Sequence, residues 1–300
     1  MNFLQIILLA VVQGLCELLP VSSSAHVIVV AKVLGLDPTS PDMTLLLVAL
    51  HTGTMVAVIV YFWKQWRAEY FASAVQFGRI AREIIIATFL TGVVGLCLLL
   101  LIEKVLLRAQ PHAEVEQLFG NLTLIAVALA VVGVLIIIAG NRDEASAGAD
   151  AEERERGTAK GIGLAESALI GAVQGLCLPF RGFSRSGATI STGLLLGIGR
   201  RQGESFSFAL AVVLTPLVLG REVHRAMKAH ALVGAAAASA MKPHWSALAV
   251  PSLVGMIASF AAGLLALRWL STWLEHGRWR YFGFYCLVAA LVVFALGRNL

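Results

Sequence analysis

The pentapeptide Val-Gln-Gly-Leu-Cys occurs twice, at residues 12–16 and 173–177, and each copy leads into a proline and a cluster of hydroxyl side chains. After the first stand Glu17, Pro20, Ser22, Ser23, Ser24 and His26; after the second stand Pro179, Ser184, Arg185, Ser186, Gly187 and Thr189. The flanking segments, about 3–35 and 162–199, are otherwise apolar. Backbone that leaves the helix in an apolar surrounding must line protein or water, because hydrocarbon cannot bind its N–H and C=O groups. Paired interruptions, one in each half of a membrane chain, point to a site formed where two repeats meet.

The surrounding sequence supplies the membrane. Of the 300 residues, 58% are hydrophobic and only 14% charged, with mean hydropathy +0.83, against about 45–50% and about 25% in soluble domains. Apolar stretches near 44–63, 84–102, 119–140, 206–220, 247–270 and 281–297 approach the roughly 20 residues a spanning helix needs. The expected fold is therefore all-α and integral to the membrane: six transmembrane helices plus two re-entrant helical hairpins, at 3–35 and 162–199. Hairpin plus three spans occurs twice, so residues 1–142 and 161–300 form two repeats. Three spans reverse direction, so the second repeat is inverted and the two hairpins meet from opposite faces. Residues 143–160 read as a charged cytoplasmic linker.

With the loop after the first span facing the cytoplasm, thirteen Lys and Arg fall on that side and eight on the other, as the positive-inside rule favours. Both termini are then expected outside, in the periplasm. Phe3 to Val12 has the length of a signal-peptide core but lacks a basic flank and runs directly into the motif, so cleavage is not expected. Cys16, Cys97, Cys177 and Cys286 stand singly, without metal-ligand spacing or disulfide pairing. The net charge of +5 is carried by residues flanking the spans, which excludes nucleic acid and favours anionic lipid headgroups. Trp63, Trp66, Trp269, Trp273 and Trp279 sit at span ends, as interface anchors do. His224, His230 and His244 fall in a polar connection and read as surface residues.

Ionisable side chains at membrane depth are costly and mark function. The run Ser184 to Thr189 offers a guanidinium fork, hydroxyls and free N–H groups at an expected helix start, the parts of a phosphate cradle. Gln13 and Glu17, four residues apart, share one helical face and can hold a hard cation or orient water. Ser22, Ser23 or Ser24 can fall within reach of His26 and become an activated nucleophile. Together these make phosphoryl transfer or hydrolysis the natural chemistry. The rival reading is a transporter that carries a lipid phosphate in the same cradle; it needs no nucleophile, so the serine, histidine and acid favour an enzyme.

The stretches QGLCELLPVSSSAH (13–26), GFSRSGATIS (182–191) and LHTGTMVAVIVYFWK (50–64) resemble the integral-membrane undecaprenyl-diphosphate phosphatase family, also called bacitracin-resistance proteins. The resemblance spans the chain. It implies hydrolysis of undecaprenyl diphosphate to the monophosphate and inorganic phosphate with Mg2+ or Ca2+, recycling the carrier of cell-wall synthesis at the periplasmic face of the bacterial inner membrane. It implies Glu17, Ser23, His26 and Arg185 as catalytic, Ser22, Ser24, Ser184, Ser186, Gly187 and Thr189 as diphosphate-binding, and Glu17 with Gln13 as metal ligands. Either a serine or water is the attacking group. Partners are the polyprenyl diphosphate and membrane lipids; a homodimer is allowed, the oligomeric state being left open. Gln13 stands where many members carry Glu, which leaves a second carboxylate for the metal missing. Arg181-Gly182 replaces their Pro-Gly. His51 reads equally as a cavity residue or a satisfied interfacial histidine.

Overall fold

The computed structural model describes residues 1–37, 40–106, 121–155, 161–236 and 245–298. Their elements are α1 (Phe3–Leu18), α2 (Ser23–Val33), α3 (Pro41–Glu69), α4 (Ala74–Leu101), a π turn (Ile102–Leu106), α5 (Leu122–Glu155), α6 (Leu164–Leu176), α7 (Arg185–Leu195), α8 (Arg200–Ala236), α9 (Trp245–Glu275) and α10 (Trp279–Gly297). The starts follow from local chemistry. Asn2 and Gln5 close a reciprocal capping box on α1, Ser40 caps α3 with Pro41 at its first position, and Ser73 caps α4, each satisfying N–H groups that a helix start leaves open.

Six of these helices are long and apolar enough to cross a membrane: Met43–Glu69, Ala74–Lys104, Leu122–Ala145, Arg200–Arg221, Ala249–Glu275 and Trp279–Gly297. They correspond to the six expected spans, with differences at the ends. α4 starts ten residues before the apolar stretch, and α5 runs to Glu155, so the charged segment 143–160 is helical for most of its length and 156–160 lie outside the described residues. Its Ala, Glu and Arg are strong helix formers, which polarity alone does not reveal. α8 likewise continues through His224, which is exposed, and His230; His244 lies outside the described residues.

α1 and α2, of 16 and 11 residues, and α6 and α7, of 13 and 11, rise only about 16–24 Å each. That is less than the roughly 30 Å of a hydrocarbon core. The members of each pair pack together, α1 with α2 and α6 with α7. Crosswise packing ties the halves together: α1 lies along α9, α6 along α4, and α3 against α8. The repeated glycine makes both crossings possible. A Cβ at Gly14 would lie 2.6 Å from Ser259 O and 2.6 Å from Ala262 Cβ; one at Gly175 would lie 2.9 Å from Thr91 O and 2.8 Å from Val94 Cβ.

Two tryptophans are not interface anchors. Trp66 is buried and donates from Nε1 to Ser205 Oγ at 2.9 Å, and Trp279 is fully buried and donates to Ser191 Oγ at 2.9 Å. Both reach inward because α8 and α7 offer a buried hydroxyl to the indole N–H, which a lipid surface does not. Trp63 and Trp269 are exposed, as expected.

Gly14→Ala and Gly175→Ala are each expected to destabilise the fold by about 1–3 kcal/mol through overpacking. Gly78→Ala, where the added methyl meets nothing within 4 Å, is expected to be neutral or to gain up to about 1 kcal/mol. Thermal midpoints of the three variants in detergent check this.

Candidate active site

The last turn of α1 carries Gln13 and Glu17 on one face, and Gln13 Nε2 donates to Glu17 Oε2 at 3.0 Å. Beyond it the chain turns through residues 19–22, all of them buried. Three carbonyls of this turn find a donor, as buried backbone tends to. Ser186 Oγ donates to Leu19 O at 3.3 Å, Cys286 Sγ to Pro20 O at 3.4 Å, and the His26 ring Nδ1 to Ser22 O at 2.8 Å. Ser22 has φ +67°, alone among the described non-glycine residues in a positive region. Such backbone costs of order 1–3 kcal/mol and persists only where surroundings hold it.

α2 starts at Ser23, whose Oγ donates to Glu17 Oε2 at 2.5 Å. α7 starts at Arg185, whose Nη2 donates to Glu17 Oε1 at 3.0 Å. One carboxylate, 11% exposed, thus joins the first residues of two helices from opposite halves of the chain. The second Arg185 nitrogen, Nη1, is buried with no partner. Ser184 caps α7 by accepting from Gly187 N at 3.2 Å, and its Oγ stands 3.5 Å from Ser186 Oγ; on the other side Ser22 Oγ stands 3.3 Å from Ser24 Oγ. The N–H groups of each first turn have no intrahelical acceptor, so both helix ends present partial positive charge to the same point.

His51 belongs here as well. Its Nδ1 donates to Leu47 O at 2.8 Å, and its Nε2 faces Glu17 Oε2 at 3.5 Å. The ring therefore stands beside the carboxylate of Glu17. A guanidinium fork and two helix ends around one carboxylate give an excess of positive character, suited to an anion with more charge than Glu17 carries.

Other residues stand elsewhere. His26 does not meet Ser23: its ring lies over α10, with Nε2 2.7 Å from Tyr285 Oη. The serine's hydrogen-bond acceptor is the carboxylate, because Ser23 opens α2 toward α1 while His26, three residues on, points to the other side. Thr189 is buried against its own helix and α8, donating to Arg185 O at 2.8 Å and lying 2.5 Å from Ser207 Oγ. The N–H of Gly187 is taken by Ser184, and a Cβ at Gly187 would lie 2.9 Å from Ile136 Cδ1, so this glycine serves the approach of α7 to α5. Gly182 lies against Ile125 O with φ +105°, a conformation that favours glycine. Tyr285, Cys286 and Ser207 carry no local sequence signal; their partners lie 259, 266 and 18 residues away.

For a divalent cation the donors present are one carboxylate, the Gln13 amide and hydroxyls; no cluster of three His, Cys, Asp or Glu exists among the described residues. Such a set suits a hard cation shared with ligand oxygens, as Mg2+ is commonly bound through one or two carboxylates plus substrate phosphates.

Residues 6–292 match the family model described as bacitracin resistance protein BacA. A protein of Acinetobacter baylyi named undecaprenyl-diphosphatase 2 is 52% identical over 297 residues, covering 99% of this chain and 98% of its own. The undecaprenyl-diphosphatases of Rhodopirellula baltica and Thermus thermophilus are 29% and 31% identical, over 98% and 95% of this chain and 98% and 94% of theirs.

Removing one member of a buried ion pair leaves the other uncompensated, which costs far more than the pair contributes. Glu17→Ala is expected to lower stability by ~3 kcal/mol, and adding Arg185→Met to recover much of that loss. Thermal unfolding of both variants in detergent checks it.

Proposed function

Since the chain belongs to the bacitracin resistance protein BacA family, we propose that it hydrolyses undecaprenyl diphosphate to undecaprenyl phosphate and inorganic phosphate, with Ser23, Glu17 and Arg185 as the reacting group. The observation that carries the reading is the shared carboxylate: Ser23 Oγ on one oxygen, Arg185 on the other, and a buried guanidinium nitrogen left without a partner. That nitrogen and the open N–H groups at the starts of α2 and α7 receive the terminal phosphate, with Ser22, Ser24, Ser184 and Ser186 as further donors. Ser23 Oγ attacks the terminal phosphorus and its proton passes to Glu17; the bridging P–O bond breaks as Glu17 hands that proton to the departing phosphate oxygen, which releases the lipid monophosphate and leaves Glu17 ionised again. Water then hydrolyses the phosphoserine with Glu17 as base. Arg185 stabilises charge on the transferring group in a fixed bidentate geometry. His26 acts on the turn and not as the base of Ser23.

Mg2+ or Ca2+ is proposed as the cofactor, held by Glu17, the Gln13 amide oxygen and the diphosphate; its chemistry is to neutralise phosphate charge. With Gln13 in place of a second acid, more of the coordination falls to the substrate.

The two halves are proposed to be inverted repeats, each a re-entrant hairpin and three spans. Four correspondences support this: Gly14 and Gly175 fill the same role, α1 on α9 matches α6 on α4, Ser22 and Ser24 match Ser184 and Ser186, and Ser23 matches Arg185 as first helical residue. The chain is a multi-pass membrane protein; we propose that it lies in the inner membrane with the site open to the periplasm, an orientation that the distribution of Lys and Arg supports.

Arg185→Lys is expected to lose about two orders of magnitude in turnover, since the charge stays and the fork is lost. Phosphate release from undecaprenyl diphosphate by protein in detergent, where nothing can be transported, measures it; near-normal release would overturn the cradle. Ser23→Ala should stop turnover, and rapid quenching of the unsubstituted protein should trap a phosphoserine. Retained turnover in Ser23→Ala, with no phosphoenzyme, would make water the attacking group.

A further inference from the structure

We propose that Tyr285 is a positioning residue which, through His26, holds the serine turn in the shape that places Ser23 on Glu17. This rests on the reading of Ser23, Glu17 and Arg185 as the hydrolytic group. The Ser22 carbonyl can only accept, so the imidazole nitrogen 2.8 Å from it, Nδ1, carries a hydrogen. In the neutral ring Nε2 then has a lone pair, and the phenol hydroxyl 2.7 Å away donates to it. The two rings lie nearly parallel, at 14° with centroids 5.7 Å apart, so Tyr285 fixes both the tautomer and the plane of His26.

What His26 grips is the strained point of the turn. Ser22, at φ +67° and ψ +96°, caps α2 without a side-chain bond to the helix. It is held by its carbonyl, on His26, and by its hydroxyl, on Ser24. The next residue of α10, Cys286, donates to Pro20 O at 3.4 Å. Adjacent side chains of one spanning helix therefore fasten the turn on either side of Val21. Ser23, immediately after Ser22, takes its direction from this clamp, and a displacement of about 1 Å at a reacting atom is enough to cost about 100-fold in rate.

Tyr285→Phe removes one hydroxyl and leaves the ring. The expected result is a 10- to 100-fold fall in kcat with KM within about twofold, an unchanged thermal midpoint, and a shift of His26 from the Nδ1–H tautomer to a mixture, read from its ring nitrogen-15 signals in the detergent-solubilised protein. Tyr281→Phe, one turn earlier on α10 and outside the site, should change none of these. Wild-type kcat in Tyr285→Phe, or a fall in kcat that tracks a lowered midpoint while His26 keeps its tautomer, would overturn the proposal. Absence of phosphate release from the unsubstituted protein would instead sink the hydrolytic reading; the tautomer comparison would still decide whether Tyr285 sets His26.

Discussion

The ion pair between Glu17 and Arg185 joins residues 168 positions apart across 3.0 Å, and the rest of the architecture arranges for it to exist. Both groups sit in short helical ends that would be unaffordable in hydrocarbon without partners. A pair of this kind contributes little net stability, because desolvation consumes most of the attraction. Its value is registry: only one sliding of α1–α2 against α6–α7 puts the guanidinium on the carboxylate while Ser186 reaches Leu19 O. The glycines at the crossings allow that approach, and the buried turn at 19–22, with the carbonyls of Leu19, Pro20 and Ser22 supplied, keeps it.

Under the proposed repeat the scaffold is symmetric while the chemistry is not, and electrostatics explains why. The position of Glu17 in the second copy is held by Leu178, and Gln174, the counterpart of Gln13, turns to Thr91 at 3.2 Å. A second carboxylate facing the first would repel it and the phosphate alike. Two arginines would leave no proton acceptor. One copy therefore keeps the acid and the hydroxyl, the other the cation, and the pairing between copies becomes the site. Gln174 Oε1 is buried and without a partner.

Sequence patterning made the spans, the broken segments, and Glu17, Ser23 and Arg185 as residues of those breaks readable, because hydropathy reports burial in lipid and breaks in it report exposed backbone. It could not tell which way side chains of a break point. Ser23 and His26 are close in sequence, yet the start of α2 sends one to α1 and the other to α10. Trp66 and Trp279 sit where interface anchors sit, and only the hydroxyls of Ser205 and Ser191, on other helices, turn them inward. Tyr285 lies in an ordinary apolar span; its role depends on a partner 259 residues away, a distance over which periodicity carries no information.

Under the proposed reading, the charge balance around Glu17 would suit a diphosphate better than a simple carboxylate or monoester. Without substrate, one negative charge faces Arg185, the His51 ring and two helix ends, each end worth roughly half a charge. Glu17 satisfies one fork of the guanidinium and the Ser23 hydroxyl, leaving Arg185 Nη1 and the first-turn N–H groups without an anion. A ligand that brings only one charge would compete with Glu17 for the same donors. One that carries two phosphates can take the vacant nitrogen and the helix ends with its terminal group and leave Glu17 in place as the acceptor of the serine proton. Binding and base then do not exclude each other, which is the condition a nucleophilic serine beside a salt-bridged carboxylate has to meet.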